Sequence, residues 1–415
     1  MFDRITLENG LRVVGEKLTH LHSCTVGVWV KVGSMNELPQ ENGLSHFIEH
    51  MVFKGTQTRS ARDIAEEMDA VGGQLNAFTS KDSTCFYAKV IDTDVELAVD
   101  ILSDLTMRPK FDPDELNKER GVVLEEIAMV EDTPEDLVAD LLAQTQYTGS
   151  LGMTILGPAK AIRGYSREDM LRYWQKHYTM DNIVLAVAGN YDWEQFLALA
   201  RRFFQCPNPN VERPALPISS FVGAHAAREK DTEQLHLCMG FPGVALGADD
   251  LYPLSVFNNA FGGGLSSRLF QRIREELGMV YSIYSFPTSY PGSGSFTIYA
   301  GTNPENGETV IREIREQIAL LLDKGLTEKE FGSAKAQLRS GYVLGLESSS
   351  GRMQSLGRGE LLLHELRTPE QQLKRIEDIT PEDVKRVSHA VLTAKPSFAV
   401  VGKKAEKYVG ALKDK

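Results

Sequence analysis

Several short segments in the first half of the chain alternate hydrophobic and polar residues, which is the pattern of strands. Residues 12–32 carry this alternation and predict a pair of strands. Residues 74–79 and 84–91 predict a hairpin around the polar residues 80–83. Because strands joined by a short turn pair side by side, the sheet is expected to be mostly antiparallel.

Segments with the helical period separate these strands. Residues 60–71 begin at a serine N-cap and end before two glycines, and residues 94–107 end before a proline. Residues 111–132 begin with Asp112 and Pro113, an N-cap followed by a residue that suits the first helical position. Strands and helices in this order predict an α+β fold, with helices packed on one face of each sheet.

The second half of the chain repeats features of the first. The apolar segment 183–189 has a counterpart at 397–402, and each is followed by a predicted helix. The helix N-caps at Ser166 and Thr380 are a second matching pair. Both pairs lie roughly half a chain apart, which predicts an internal duplication.

The chain of 415 residues is too long for one simple core, and its length fits two domains of ordinary size. The stretch richest in proline lies at the midpoint and predicts a linker. We therefore expect two homologous domains of the same fold, at residues 1–205 and 221–415, joined by a linker at 206–220.

The most informative residues are His46, Glu49 and His50. On a helix the two histidines stand one turn apart on the same face, where two imidazoles can hold one metal ion. Glu49 lies close enough to reach a water on that metal. Two imidazoles, a third ligand and an open position describe a catalytic zinc site, and the order is the reverse of the His-Glu-x-x-His motif. The alternative to a zinc site is that these three residues form the polar face of an ordinary amphipathic helix.

The third ligand must come from another segment, and the helix at 111–132 offers the best donor. Glu119 and Glu126 are seven residues apart, so they share one helix face two turns apart. Glu126 would complete the ligand set, with Glu119 nearby as an outer carboxylate. A solvated acidic face that also includes Glu125 is the alternative for these residues.

These residues resemble the inverted-motif zinc peptidases, which include pitrilysin, the insulin-degrading enzymes and the mitochondrial processing peptidases. The wider segment 43–56 is most similar to the processing-peptidase branch. Residues 74–80 resemble the strand on which this family lays out its substrate. Residues 262–270 and 274–281 resemble the non-catalytic half, so the likeness covers essentially the whole chain.

The resemblance implies a role for each matching residue. His46, His50 and Glu126 would bind one zinc ion per chain, and Glu49 would be the general base. Four residues would form the substrate strand: Asn76, Ala77, Phe78 and Thr79. The remaining catalytic candidates are Glu119, close to the metal, and the pair Arg274 and Tyr281, which the second half would present to the peptide. Arg268 and Arg272 remain alternatives to Arg274.

The implied activity is a zinc-dependent endopeptidase that hydrolyses short or unfolded peptides in a closed chamber. Relatives enclose substrate between four such domains, and this chain has two, so a homodimer is expected. A non-identical partner stays open, as do the natural substrate and the cleavage preference. The alternative function is a catalytically silent scaffold or substrate-recognition subunit. When the two halves are aligned, the second half has no metal ligands at the positions that match the motif. The second domain would therefore contribute shape and contacts rather than chemistry.

Composition adds limits on partners and compartment. A net charge of −12 argues against a nucleic-acid partner. The four cysteines are scattered without a short pairing and predict reduced thiols: Cys24, Cys85, Cys206 and Cys238. The chain has no apolar span and begins in a strand-like pattern rather than a presequence. We therefore expect no membrane association, a cytoplasmic location and a bacterial origin.

Overall fold

The structure is a computed structural model that describes residues 2–205, 208, 212–213 and 219–413. Cys206 and most of the predicted linker at 206–220 lie outside the described residues, so the linker stays a prediction. The chain divides into two compact units, each built from three segments. Unit 1 comprises Met1–Ile127, Met153–Leu216 and Val343–Thr368, and unit 2 comprises Ala128–Gly152, Pro217–Tyr342 and Pro369–Lys415.

The described residues form eleven strands and fifteen α-helices. The strands are β1 Phe2–Thr6, β2 Arg12–Lys17, β3 Ser23–Val30, β4 Gln74–Thr79, β5 Thr84–Ile91, β6 Ile183–Gly189, β7 His225–Glu229, β8 Leu235–Pro242, β9 Val280–Tyr290, β10 Ser293–Thr302 and β11 Ser397–Gly402. The helices of the first half are α1 Leu44–Val52, α2 Ala61–Ala70, α3 Val95–Met107, α4 Pro113–Asp132, α5 Pro134–Gln146, α6 Ala159–Gly164, α7 Arg167–His177 and α8 Trp193–Phe203. Those of the second half are α9 Leu251–Phe261, α10 Gly307–Lys324, α11 Glu328–Gly345, α12 Ser349–Arg358, α13 Pro369–Glu377, α14 Pro381–Leu392 and α15 Ala405–Lys413.

Shorter helical segments connect these elements. Two segments have π-helical geometry, Phe270–Glu276 and Gly359–Leu363. Single 3-10 turns occur at Ser34–Asn36, Pro39–Glu41, Asp92–Asp94, Gly149–Gly152, Met180–Asn182 and Pro304–Asn306. Among the described residues, none of the helices combines the length and the apolar character that a membrane span requires.

Unit 1 is built on a six-stranded sheet in the order β1-β2-β6-β3-β5-β4. Every neighbouring pair is antiparallel except β2 with β6. The predicted hairpin β4–β5 has the expected bounds, and β4 lies at the edge of the sheet. The prediction that residues 12–32 form a strand pair was wrong in its pairing, because β6 lies between β2 and β3.

One face of this sheet carries the main core of unit 1. Val26 and Val28 of β3 and Leu185 of β6 pack there with the apolar sides of α1, α3 and α8. These side chains are fully buried, which is the major source of stability for the unit. The metal-motif helix α1 is part of this core, so its position is fixed by packing.

The other face of the sheet is covered by α12, a helix from the second half of the sequence. Met353 and Leu356 of α12 pack against Trp29, and the Trp29 indole N–H donates to the Met353 sulfur at 3.3 Å. Gly357 lies so close to Trp29 that a Cβ atom would overlap the indole ring. An ion pair of 2.8 Å joins Arg352 to Glu16.

Unit 2 repeats this plan with a five-stranded sheet in the order β7-β11-β8-β10-β9. Only β7 and β11 are parallel. Helices α9, α10, α14 and α15 share the core on one face, and α5, from the first half of the sequence, packs on the other through Leu137, Val138 and Leu142. The α+β class with two mostly antiparallel sheets is confirmed, and the structure adds one helix on the second face of each sheet.

Candidate metal centre

The helix that carries the two histidines has its N-terminus capped by a remote carboxylate. Gly43 precedes α1 with φ 97°, a left-handed conformation that glycine adopts without strain. The backbone N–H groups of Gly43 and Ser45 donate to the two oxygens of Glu37, each at 2.8 Å, and the Asn42 amide donates at 2.9 Å. Glu37 is 1% exposed. These three hydrogen bonds stabilise the N-terminus of α1 and fix where the helix begins.

The structure brings His46, His50 and Glu126 together. His46 Nε2 lies 3.7 Å and His50 Nε2 3.5 Å from Glu126 Oε2, and one ligand atom from each residue lies within 4.8 Å of the others. Donor atoms bound tetrahedrally to zinc lie about 3.3 to 3.5 Å apart. Glu126 Oε2 is buried and has no hydrogen-bond partner among the described residues. Such a buried acceptor between two imidazoles fits a divalent metal ion.

The charge states of the site suit metal binding. Burial, together with the neighbouring His50, lowers the pKa of His46 to about 4. The imidazole of His46 is therefore neutral at physiological pH, with a lone pair free for a metal. Burial raises the pKa of Glu49, and the hydrogen bond from Thr79 and the nearby His50 oppose that rise.

Glu119 contacts the far side of one ligand. Its Oε2 atom lies 3.2 Å from Nδ1 of His50, and its Oε1 atom lies 2.7 Å from the ammonium of Lys54. A carboxylate at Nδ1 holds that nitrogen protonated and leaves Nε2 facing Glu126. The solvated-face alternative does not describe Glu119, which is buried, whereas Glu125 is exposed.

The four predicted substrate-strand residues lie on the sheet edge, on β4. Their side chains differ in what they contact. The Thr79 hydroxyl donates to Glu49 at 2.5 Å, and the Asn76 side chain accepts from the Ala77 backbone N–H at 2.8 Å. Phe78 points to the opposite face, where its ring lies 5.6 Å from that of Trp29.

Arg274 and Tyr281 lie together in unit 2. The guanidinium of Arg274 is 6.0 Å from the Tyr281 ring centre, and Tyr281 is 73% exposed. Arg268 is paired with Glu330 at 2.5 Å, and Arg272 is paired with two glutamates, at 2.9 and 3.2 Å. Arg274 has no ion pair with a described residue, so it is the arginine of the three that is free to meet an anionic group.

The described part of the chain has one cluster of three or more histidine, cysteine or acidic side chains that could hold a metal, and it is the cluster in unit 1. Sequence reasoning missed two residues that support it, Glu37 and Lys54. The motif gives no signal for either, because Glu37 lies seven residues before α1 and the partner of Lys54 lies on another helix.

Two parts of the chain match models of known protein families. Residues 12–159 match the insulinase family, peptidase family M16, and residues 164–338 match the peptidase M16 inactive domain. An uncharacterized zinc protease of Bacillus subtilis is 40% identical over 402 residues, which are 97% of this chain and 98% of the relative. The chain therefore belongs to the M16 family, as its motif predicted.

Other relatives agree in length and fold. An uncharacterized zinc protease of Mycobacterium tuberculosis is 42% identical over 405 residues, 96% of this chain and 92% of the relative. The crystal structure of a protease from Helicobacter pylori superposes with a TM-score of 0.91 at 22% identity, covering 97% of this chain and 99% of that one. The structure of a peptidase M16 inactive domain from Pseudomonas fluorescens gives 0.90 at 20%, covering 97% and 98%. These two structures bear on the fold alone.

Proposed function

We propose that this chain is a zinc-dependent endopeptidase that cleaves short or unfolded peptides. The observation that carries the proposal is the convergence of His46, His50 and Glu126, with the carboxylate of Glu49 beside them. Membership of a peptidase family and relatives named zinc proteases support the same reaction and the same metal.

Each residue then has a chemical task. His46, His50 and Glu126 would hold the zinc, and Glu119 would orient His50 through Nδ1. A zinc ion there would acidify a water and polarise the scissile carbonyl. Glu49 takes a proton from the attacking water and delivers it to the leaving amine. Burial favours this proton transfer, because it raises the pKa of Glu49 above that of an ordinary glutamate.

The substrate would bind as an added strand along β4. An edge strand offers backbone N–H and C=O groups, which recognise an extended peptide with little demand on its side chains. Most backbone N–H and C=O groups of a folded protein are already paired, which supports unfolded peptides as the substrate class. Arg274 and Tyr281 would contact the peptide from unit 2, and the enclosing homodimer and the cytoplasmic location complete the proposal.

The test compares wild type with Glu49→Gln on an unstructured peptide, with zinc content measured in both. Wild type is expected to cleave the peptide and to lose activity with a chelator. The Glu49→Gln variant should retain a full complement of zinc and lose at least about 100-fold in kcat, because general acid–base catalysis contributes that much.

Two results would contradict the proposal. Equal cleavage by wild type and Glu49→Gln would show that Glu49 is not the general base. Zinc-loaded wild type without activity on any peptide would favour the silent-scaffold alternative.

A further inference from the structure

Glu49 is hydrogen-bonded to the edge strand. The hydroxyl of Thr79, the last residue of β4, lies 2.5 Å from Glu49 Oε2. The side chain of Thr79 points to the same face of the sheet as those of Leu75 and Ala77, which pack against the core that contains α1. One short contact therefore joins the strand that would receive the peptide to the carboxylate that would move the proton.

The direction of this hydrogen bond follows from the neighbours of Thr79. Its hydroxyl has one proton and two acceptors in reach, Glu49 at 2.5 Å and Thr84 Oγ1 at 3.4 Å. Thr84 donates its own proton to the carbonyl of Val32 at 2.8 Å. It therefore cannot donate to Thr79, and an ionised carboxylate only accepts. The proton of Thr79 is thus directed to Glu49.

The bond restrains one oxygen of the carboxylate and leaves the other available. Among the described residues, the hydrogen bond of Glu49 is made through Oε2, and Oε1 has no partner. A hydrogen bond to a charged acceptor is stronger than one between two neutral groups. Without it, the Glu49 side chain would be free to rotate about its terminal bonds within the site.

We propose that Thr79 is a positioning residue, whose hydroxyl fixes the carboxylate of Glu49 so that its free oxygen faces the reacting water. The inference rests on the proposed peptidase function. It adds a link between substrate and chemistry, because a peptide that pairs with β4 also orders the residue that holds the base.

Two substitutions separate the hydroxyl from the rest of the side chain. Thr79→Val keeps the β-branched shape and the strand propensity, and replaces the hydroxyl with a methyl group. Thr79→Ser keeps the donor and removes a methyl group. Thr84→Val is the matched control, since it removes a hydroxyl from the paired residue of β5, whose proton goes to Val32.

The experiment measures kcat and KM on an unstructured peptide and the zinc dissociation constant by competition with a chelating dye. For Thr79→Val we expect kcat to fall about 10- to 100-fold, the loss typical for a hydrogen bond to a charged group. KM and the zinc dissociation constant should stay within about threefold of wild type. Thr79→Ser should restore most of the lost kcat, and Thr84→Val should lower the melting temperature with kcat within about threefold of wild type.

Four results would overturn the inference. Wild-type kcat in Thr79→Val would show that the bond has no role in turnover. A rise in KM alone would make Thr79 a substrate contact, and loss of zinc would make it a support for the ligands. An equal loss in Thr79→Ser would point to packing rather than to the hydroxyl.

A structural readout separates this inference from the proposed function. If zinc-loaded wild type cleaves no peptide, the peptidase proposal fails, and crystal structures of wild type and Thr79→Val still test the positioning. The inference requires the Glu49 carboxylate to change rotamer or lose order in Thr79→Val. An unchanged, equally ordered carboxylate would overturn it.

Discussion

Glu125 and Glu126 are neighbours in sequence, and their surroundings give them different roles. Glu126 lies between two imidazoles with one buried oxygen, whereas Glu125 is exposed to solvent. The spacing predicts that Glu119 and Glu126 share one helix face, and in the structure both carboxylates lie beside His50. Spacing alone left a solvated acidic face open, because only the packing of α4 shows which carboxylates are buried.

Glu126→Gln should weaken zinc binding at least about tenfold, because it replaces an anionic ligand with a neutral amide. Glu125→Gln, which makes the same chemical change one residue away, should bind zinc as wild type does. Titration of both metal-free variants against a zinc-selective dye measures the difference. Equal affinity in the two variants would contradict the ligand assignment.

A second buried imidazole in unit 1 lies outside the metal centre. His177 is 3% exposed, and neither ring nitrogen has a hydrogen-bond partner among the described residues. Burial, with Lys176 and Arg213 nearby, lowers its pKa from 6.5 to about 3. Between these two values the unfolded chain binds a proton that the folded chain does not, so stability falls as the pH falls through this range.

Lowering the pH from 6.5 to 4.5 should therefore remove about 2 kcal/mol of stability through His177 alone. His177→Phe fills the same space without a titrating group, and its free energy of unfolding should decline less over this range. Urea unfolding of both proteins at the two pH values measures the effect. An equal fall in the free energy of unfolding of both proteins would show that His177 does not gain a proton on unfolding.

At the scale of elements, local pattern predicted strands and helices better than it predicted their partners. The bounds of β4 and β5 are those expected, and α2 and α3 fall within a residue of theirs. The predicted partner of β2 was wrong, because β2 pairs with β6, which lies more than 150 residues later in the chain. Alternation of side chains shows which face of a strand is apolar and carries no information about the strand beside it.

Helix α1 depends on a cap that its own sequence lacks. Glu37→Ala would leave three buried N–H donors, from Asn42, Gly43 and Ser45, without their acceptor. Each such donor costs about 1 to 3 kcal/mol, so we expect the free energy of unfolding of the metal-free protein to fall by about 3 kcal/mol or more.

Glu66→Ala is the control for removal of a carboxylate, because Glu66 forms an exposed ion pair with Arg62. Its loss should cost less than about 1 kcal/mol. Chemical denaturation of the two variants without metal gives both values. A Glu37→Ala protein as stable as the control would show that water replaces the cap.

For the whole molecule, each half of the sequence contributes a helix to the sheet of the other half. Helix α12 covers the sheet of unit 1, and α5 covers the sheet of unit 2. The duplication was visible from repeated segments, such as 183–189 and 397–402. The exchange was not visible, since an amphipathic helix shows that it has an apolar face and not which sheet will cover it.

The exchange predicts that residues 1–205 do not fold stably alone. Without α12 the sheet would expose Trp29, Val184 and Ala186, a contiguous apolar surface that favours aggregation. We expect this fragment to be insoluble when expressed alone and soluble when residues 206–415 are expressed with it. Size-exclusion chromatography tests this, and a monomeric fragment that unfolds cooperatively near the melting temperature of the full chain would contradict it.

The contact between Trp29 and Met353 also supplies an optical probe. All three tryptophans of the chain, Trp29, Trp174 and Trp193, lie in unit 1, whereas both units contribute to far-ultraviolet circular dichroism. Emission from Trp29 changes when water reaches its indole, which requires α12 to leave the sheet. Recording emission and dichroism in one thermal scan therefore shows whether the two units melt in a single step or in sequence.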